Sequence, residues 1–347
     1  KTLSAGATDK YLIGGIAGQE INLFFQVLDN TCLAIRLLSP SGNQLASISR
    51  YGPDESITAS STGRLTLASN GNFAVEVSGC SSGNAGRYRF QVILINRSPE
   101  LIPAAIELDK VVEGETIDPA GDIDEFTLAI ASAVEVNVFF QVLDDTCLRL
   151  DFRDPDDSQI GTSGSSFGPA ATLYEDMTGR LSLGRTGTYI ARVYGCSSSH
   201  AGRYKLQVFK INRAPETLVS AIAVGNIIGG EDIRPPGDID EFTFSNSTSR
   251  ELNIFFQVID NATLRLQLLD PDGSVLRDIP GFGPNSTLFD NLTDRVTISR
   301  TGTYRIRTFG SGDFSQGGYR FQVFQIDRKP EVAPSAITIG AIVDGED

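Results

Sequence analysis

The chain repeats itself along its whole length, and this repeat constrains its fold more than any other feature. Phe24-Phe25-Gln26-Val27 returns as Phe139-Phe140-Gln141-Val142 and again as Phe255-Phe256-Gln257-Val258, at offsets of 115 and 116 residues. A period of this length is that of a whole domain, whereas solenoid and propeller repeats span roughly 20 to 50 residues. The sequence therefore predicts three homologous domains in tandem.

Each repeat has the hydrophobic period of a β-strand. In residues 134–142, Val134, Val136 and Val138 alternate with Glu135 and Asn137, which is typical of a half-buried strand. Turns rich in Pro, Asp and Gly follow at short intervals, and no helical period is convincing. We therefore predict an all-β chain of three tandem β-sandwich, jelly-roll-like domains, each of about seven to nine strands.

The repeat also sets the expected boundaries. We predict a first repeat that lacks its first strand, two complete repeats, and a short last segment, at 1–98, 99–214, 215–329 and 330–347. The last segment is interpreted as the first strand of a following repeat or as a donor strand.

Three phenylalanines lie on the polar-facing phase of their strands: Phe24, Phe139 and Phe255. An exposed aromatic ring is costly at such a position. Each ring is expected to lie under a loop of its own domain or against a neighbouring domain.

Charge and hydropathy limit the partners. The 347 residues carry a formal charge of -14, which repels nucleic acid and anionic membranes. The 40% of hydrophobic residues is that of a folded protein. No apolar run is long enough to span a bilayer. The expected partners are copies of the chain itself, head to tail, or an extracellular polysaccharide or matrix.

The four cysteines occur in the first two repeats only. Cys32 matches Cys147 and Cys80 matches Cys196, and the third repeat loses both members of the pair together. Paired loss is what a disulfide predicts, because a single remaining thiol would be reactive. The competing interpretation, a zinc site, lacks ligands because the chain has a single histidine. We predict Cys32–Cys80 and Cys147–Cys196 bridges, each contributing about 4 kcal/mol in the chain-entropy model, and an extracellular or cell-surface location.

The third repeat contains four sequons for N-glycosylation. They begin at Asn246, Asn261, Asn285 and Asn291, and they predict glycan attachment there. The alternative is chance in a chain rich in Asn, Ser and Thr.

Pairs of aspartates recur at the start of the second and third repeats. Asp122 with Asp124, and Asp238 with Asp240, place hard oxygen ligands at alternate positions. Together with Glu115 or Glu231 they are candidate calcium ligands. The alternative is that they cap turns through Asx-type hydrogen bonds. We expect no cofactor apart from this possible calcium.

The sequence around these aspartates resembles the bacterial pre-peptidase C-terminal domain. The similar segments are Gly121-Asp122-Ile123-Asp124-Glu125-Phe126-Thr127, Asp270-Pro271-Asp272-Gly273, Gly302-Thr303-Tyr304 and Gly318-Tyr319-Arg320-Phe321-Gln322-Val323. The resemblance covers all three repeats. It implies a jelly-roll-like sandwich appended to secreted bacterial proteins, with roles in adhesion, substrate attachment or spacing. Related collagen-binding modules use calcium.

The sequence does not predict an enzyme. A nucleophilic triad needs a histidine, and the only one is His200, in a serine-rich loop. The acidic residues recur once per repeat in turn motifs, which favours structure over acid–base chemistry. We predict no catalytic residue.

The two ends of the sequence match one another. Lys1 aligns with Thr116 and Asp347 aligns with Asp232, so the tail resembles the opening strand that the first repeat lacks. The expected joining residues are Ala336, Ile337, Ile339, Ile342 and Val343. They predict a structural subunit or segment of an extracellular fibre, joined head to tail by donor-strand addition. The alternative is a set of substrate-, carbohydrate- or collagen-binding accessory repeats of a secreted bacterial enzyme.

Overall fold

The computed structural model describes residues 1–197, 199–312 and 314–329, together with 336, 338 and 339. In these residues the chain is β throughout, apart from one turn of 3₁₀ helix at Ile57–Ala59. The prediction of an all-β fold is confirmed. The chain forms two compact units, Lys1–Lys210 and Ile211–Asp347.

The first repeat consists of two four-stranded antiparallel sheets. Their strand orders are β1-β8-β3-β6 and β2-β7-β4-β5. The strands are β1 (Thr2–Leu3), β2 (Thr8–Gly15), β3 (Glu20–Val27), β4 (Cys32–Leu38), β5 (Gln44–Tyr51), β6 (Ser61–Thr66), β7 (Gly71–Gly79) and β8 (Gly86–Leu94).

The second repeat belongs to the same unit and has the same two sheets with more strands. The orders are β10-β18-β12-β15, with β16 also on β12, and β14-β13-β17-β11-β9. The strands are β9 (Ala105–Ile106), β10 (Val111–Ile117), β11 (Ile123–Ile130), β12 (Val134–Val142), β13 (Cys147–Arg153), β14 (Gln159–Phe167), β15 (Asp176–Met177), β16 (Leu181–Leu183), β17 (Gly187–Gly195) and β18 (Gly202–Lys210).

The third repeat forms the other unit. Its sheets are ordered β19-β27-β21-β24, with β25 also on β21, and β20-β26-β22-β23. The strands are β19 (Ile227–Ile233), β20 (Ile239–Asn246), β21 (Arg250–Val258), β22 (Thr263–Leu269), β23 (Val275–Phe282), β24 (Asn291–Leu292), β25 (Val296–Ile298), β26 (Gly302–Gly310) and β27 (Gly317–Gln325).

Each repeat buries its own core between its two sheets. Three separate clusters of buried side chains exist, one per repeat. They form because alternate residues of each strand face inward, as Phe140, Val142, Leu206 and Val208 do in the second repeat. The exact domain boundaries stay predictions, although no strand crosses 98/99 or 214/215.

Phe24 is fully buried, and Phe139 and Phe255 pack against aromatic rings of their own repeats. Phe139 is fully buried, with its ring centroid 5.0 Å from that of Tyr174 and 5.8 Å from that of Phe209. Phe255 packs in the same way against Phe289 and Phe324, at 4.7 and 4.6 Å. A small second aromatic cluster therefore lies outside the main core.

Both predicted disulfides are present. Cys32–Cys80 and Cys147–Cys196 each join Cα atoms 5.5 Å apart. Each bridge ties the start of one strand to the end of its neighbour in the sheet, since β4 pairs with β7 and β13 pairs with β17. In the described residues, no helix is long and apolar enough to cross a membrane.

Candidate functional site

A bulge in strand β10 of the second repeat turns a glutamate into the protein interior. β10 pairs with β18, but the register shifts between Glu113 and Glu115. Gly114 at the bulge has a φ of 93°, a conformation that favours glycine. As a result the Glu115 side chain is fully buried.

Glu115 meets two other carboxylates at this place. Oxygens of Glu100, Glu115 and Asp124 lie within 4.8 Å of one another. Asp124 is fully buried on β11, and its Oδ2 accepts a hydrogen bond of 2.5 Å from the Tyr204 hydroxyl. Its Oδ1 is buried and has no hydrogen-bond partner in the described part of the chain. We call Glu100, Glu115 and Asp124 the carboxylate cluster of the second repeat.

The third repeat contains the same cluster. Oxygens of Glu216, Glu231 and Asp240 lie within 4.8 Å of one another. The Tyr319 hydroxyl donates to Asp240 Oδ2 at 2.5 Å. Asp240 Oδ1 is again buried and without a partner among the described residues.

Burial dominates the electrostatics of both clusters. The pKa of Asp124 and of Asp240 is raised to about 8, mainly by burial and to a smaller extent by nearby carboxylates, although the hydrogen bond from the tyrosine lowers it. Burial also raises the pKa of Asp122 and of Asp238 to about 7. Negative charge is therefore disfavoured here unless a cation is present.

The residues of each cluster fit a hard divalent cation such as calcium. Each cluster supplies three carboxylates, and one of them, that of Asp124 or Asp240, has a buried oxygen without a partner among the described residues. Carboxylate oxygens are the ligands that calcium prefers. Asp124 and Asp240 each accept a hydrogen bond from a tyrosine hydroxyl and do not cap a turn. The other two predicted ligands, Asp122 and Asp238, do not belong to the carboxylate clusters.

Sequence reasoning missed Glu100 and Glu216 as candidate ligands. Both follow a proline in the segment before the repeat's first strand, as Pro99-Glu100 and Pro215-Glu216. The repetition of this Pro-Glu pair at the same distance from the Asp-x-Asp motif is the signal that identifies them.

The first repeat replaces the cluster with a lysine. Asp9 occupies the position of Asp124, and its Oδ2 likewise accepts from a tyrosine hydroxyl, that of Tyr88, at 2.5 Å. Its Oδ1 lies 3.0 Å from Nζ of Lys1. The Tyr88 hydroxyl, and then Lys1, lower the pKa of Asp9. An ammonium group therefore contacts the oxygen that has no partner in the other two repeats.

An arginine after the last strand of the first repeat joins it to the second. The Arg97 guanidinium donates to both oxygens of Glu20 on β3, at 2.8 and 3.0 Å, and to Glu125 Oε1 on β11, at 2.6 Å. Arg192 of β17 donates to the same Oε1 at 2.6 Å. These contacts raise the pKa of Arg97, so the ion pair persists at any physiological pH. We call this set of four residues the joint.

Contacts beside the joint are partly buried. The Asn22 amide of the first repeat is fully buried and donates to the carbonyl of Ala120 in the second repeat at 3.2 Å. The Arg64 guanidinium lies 5.3 Å from the centroid of the Tyr194 ring. These contacts, like the joint, connect residues of the first repeat with residues of the second.

The other two linker arginines make the corresponding contacts within the second unit. Arg213 donates to Glu241, the counterpart of Glu125, at 2.8 Å. Arg328 donates to both oxygens of Glu251, the counterpart of Glu20, at 2.7 and 2.6 Å. The sequence therefore provides each repeat with the same linker arginine.

The structure describes no strand beside most of the outer edge of β8 in the first repeat, and we call this the open edge. In the second repeat, Val111–Glu113 of β10 pairs with Lys205–Gln207 of β18. The counterpart of β10 in the first repeat is β1, which has two residues and pairs only with Gly86 and Arg87. Within the described residues, the outer edge of β8 beyond that point has no strand partner.

The core beneath this open edge is partly exposed. Phe90 and Val92 are half-buried, whereas the counterparts of Phe90 are 0% exposed in both other repeats and those of Val92 are at most 1% exposed. These counterparts are Leu206, Phe321, Val208 and Val323. In the described residues, Phe90 and Val92 are therefore less covered than their counterparts.

The predicted joining residues lie mostly beyond this description. Ile337, Ile342 and Val343 are outside the described residues, while Ala336 and Ile339 are exposed. Their role in joining subunits stays a prediction.

The four sequons occupy different environments. Asn246 is buried, and its amide nitrogen donates to the carbonyl of Arg300 at 2.9 Å, which leaves it unavailable for a glycan. Asn285 Oδ1 accepts from the Val258 amide at 3.1 Å, and the Nδ2 atom of Asn291 is enclosed by protein. Asn261 is exposed.

His200 lies near the second disulfide, and its Nδ1 accepts from the Ser197 amide at 3.2 Å. His200, Cys147 and Cys196 lie close enough for a metal site, but both sulfurs are bonded to one another. A disulfide lacks the thiolates that bind zinc.

No family model and no curated protein matches the chain. Among solved structures, it is similar to the pre-peptidase C-terminal domain of collagenase from Bacillus anthracis, with 15% identity over 32% of this chain and 98% of that one, at a TM-score of 0.26. It is also similar to the PBSX exported protein XepA, with 10% identity over 60% and 84% of the two chains and a TM-score of 0.22. The CUB1-EGF-CUB2 domain of human MASP-1/3 shows 8% identity over 62% and 99%, with a TM-score of 0.20.

Proposed function

We propose that this chain is a structural subunit or segment of an extracellular fibre or surface appendage, in which repeats join head to tail by strand addition. The observation that carries the proposal is the open edge of β8, with the half-buried Phe90 and Val92 beneath it. An unpaired edge above an apolar groove is the arrangement that an added strand completes. The two disulfides fit an extracellular or secreted protein.

The tail of another copy has the chemistry of the strand that fits this edge. Ile342-Val343 matches Ile227-Ile228 of β19, and Glu346 matches Glu231 of the third carboxylate cluster. Added to β8 in the register that β19 has on β27, this segment would cover Phe90 and Val92.

We also propose that successive repeats of the fibre are connected rigidly. The joint fixes the second repeat on the first through Arg97. Calcium at the carboxylate cluster would restrain the linker, because Glu100 belongs to the linker. Glu115 Oε2 also contacts the linker, since it accepts hydrogen bonds from the amides of Leu101 and Ile102 at 3.0 and 3.1 Å. In this role the chain performs no catalysis.

The test is deletion of residues 332–347. The full chain should form polymers, and the deleted chain should remain monomeric in size-exclusion chromatography with light scattering. A matched control, Thr338→Ala, keeps the tail, alters an exposed residue that is not among the predicted joining residues, and should polymerise like the parent. Polymers of unchanged length from the deleted chain would refute strand addition.

A second candidate function, that of accessory binding repeats, is favoured by one observation. Each repeat exposes one aromatic ring at the same position, before a Gly-Pro pair: Tyr51 at 67%, Phe167 at 72% and Phe282 at 65%. Exposed rings at fixed positions can stack on sugars of an extracellular polysaccharide. Retention of the full chain on a polysaccharide column, lost when all three are replaced by Ser, would support this candidate over the fibre.

A further inference from the structure

The third repeat has a cleft at the place where the other repeats have their disulfides. Thr263 and Ser311 replace the two cysteines. Beside them a cavity of about 580 Å³ is lined by Asn261, Ala262, Thr263, Phe282, Gly283, Phe314, Ser315 and Gln316. This size is within the range of small-ligand pockets.

The cleft combines aromatic rings with hydroxyl and amide groups. Phe282 is 65% exposed and Phe314 is 59% exposed, so both rings offer free faces. Ser315 and Gln316 provide polar groups at the rim. This is the composition that suits a sugar, whose C–H faces stack on rings while its hydroxyls form hydrogen bonds.

A sequon opens directly onto this cleft. Asn261-Ala262-Thr263 lies in the turn between β21 and β22, and Asn261 is exposed there. The other sequon asparagines of this repeat are less accessible. The side-chain nitrogen of Asn246 donates a hydrogen bond to the Arg300 carbonyl, and the side-chain nitrogen of Asn291 is buried. The side-chain oxygen of Asn285 accepts a hydrogen bond from the backbone amide of Val258 at 3.1 Å, and Asn285 is partly buried.

The second aromatic ring occurs only in the repeat that has this sequon. Phe314 corresponds to Gly83 in the first repeat and to Ser199 in the second. The second repeat has Asp145 in place of Asn261, which removes its sequon. We propose that Asn261 carries an N-linked glycan whose first sugars lie in the cleft against Phe282 and Phe314.

The modification requires an oligosaccharyl transferase and a lipid-linked diphosphate saccharide. The amide nitrogen of Asn261 forms a bond to the anomeric carbon of the saccharide, and the bond from that carbon to the diphosphate oxygen breaks. The lipid diphosphate leaves, and the amide proton passes to a base of the transferase. The glycan then covers two rings that are otherwise exposed to water.

The first test locates the glycan by peptide mass. The full chain is secreted from a host that glycosylates Asn-x-Ser/Thr and is digested with trypsin. Asn261 lies in the peptide Glu251–Arg265, whereas Asn285 and Asn291 share the peptide Asp278–Arg295. We expect the glycan on Glu251–Arg265 and the bare polypeptide mass for Asp278–Arg295 and for the peptide containing Asn246. An unmodified Glu251–Arg265, or glycan on the other peptides instead, would overturn the proposal.

The second test examines the stacking. Enzymatic removal of the glycan should lower the unfolding temperature of the chain, and Phe282→Ser with Phe314→Ser should abolish that difference. Phe167→Ser is the matched control, because it removes an equally exposed ring from a repeat without the sequon. An equal loss on deglycosylation in all variants would overturn the stacking. The result is independent of fibre formation.

Discussion

Replacing Asp124 with Asn tests whether the carboxylate cluster is a cation site. The pKa of Asp124 is about 8, against an ordinary value of 3.8, because the side chain is buried. Without a cation, the folded state therefore keeps a proton that the unfolded state has lost, and the free energy of unfolding falls as the pH rises from about 4 to about 8. At pH 7 this penalty is about 4 kcal/mol, since one pKa unit corresponds to about 1.4 kcal/mol.

Asn is neutral at every pH and keeps the oxygen that accepts from Tyr204. In the presence of a chelator, Asp124→Asn should therefore stabilise the second repeat at pH 7 by about 2 to 4 kcal/mol and remove the contribution of this residue to the pH slope. Calcium should stabilise the parent at this repeat and have little effect on the variant there. Hydrogen exchange of β18 peptides in chelator and in calcium, from pH 5 to 8, reports the second repeat separately from the others.

Asp9→Asn is the matched control, with the opposite expected sign. The pKa of Asp9 is lowered by Tyr88 and Lys1, so its contribution to stability is present above an ordinary carboxyl pKa and is lost as the pH falls through the lowered value. The substitution should therefore destabilise the first repeat at pH 7. A second-repeat variant that is less stable than the parent in chelator at pH 7, or that responds equally to calcium, would refute the reasoning.

Three further predictions concern the joint, the cluster and a disulfide. Arg97→Met removes the guanidinium that contacts Glu20 and should lower the free energy of unfolding by roughly 1 to 3 kcal/mol. Hydrogen exchange in residues 118–125 should become faster, and unchanged exchange there would contradict the proposed rigid joint. Tyr204→Phe removes the hydroxyl that donates to Asp124 and should cost about 1 to 3 kcal/mol in chelator, measured by urea unfolding. No loss would show that this hydrogen bond is unimportant. Replacing Cys147 and Cys196 together with Ala should cost about 4 kcal/mol, and a cost near zero in the same assay would contradict a structural role.

Much of the fold is predictable because the chain contains three versions of it. The paired loss of Cys32 and Cys80 counterparts in the third repeat identified both disulfides without any geometry. The alternating pattern of each repeat likewise identified the strands. Both the identities and the differences between the repeats indicate which residues are close in space, and this makes contacts between distant segments predictable from the sequence.

The candidate site was less predictable because it depends on contacts between segments far apart in sequence. Glu100 reaches Asp124 only because the linker folds back along β10, and no local pattern shows this. The joint depends on Arg97 contacting two glutamates, 77 and 28 residues away. Asn246, by contrast, shares the inward phase of Phe242 and Phe244 on β20, so its burial was predictable from strand alternation.

The proposed strand addition is tested most directly by a cross-link between subunits. On the outer face of the third repeat, Ile227 pairs with Gln322; the corresponding residues between two copies are Ile342 of the tail and Gln91 of β8. All native cysteines are in disulfides, so Gln91→Cys with Ile342→Cys introduces the only free thiols.

Oxidation of this variant should give a non-reducing gel ladder of multiples of 37.3 kDa. Gln91→Cys with Val343→Cys should stay monomeric on the same gel, because a shift of one residue points the side chain to the opposite face. A single band at the mass of one chain from the first variant, or equal ladders from both, would contradict the account.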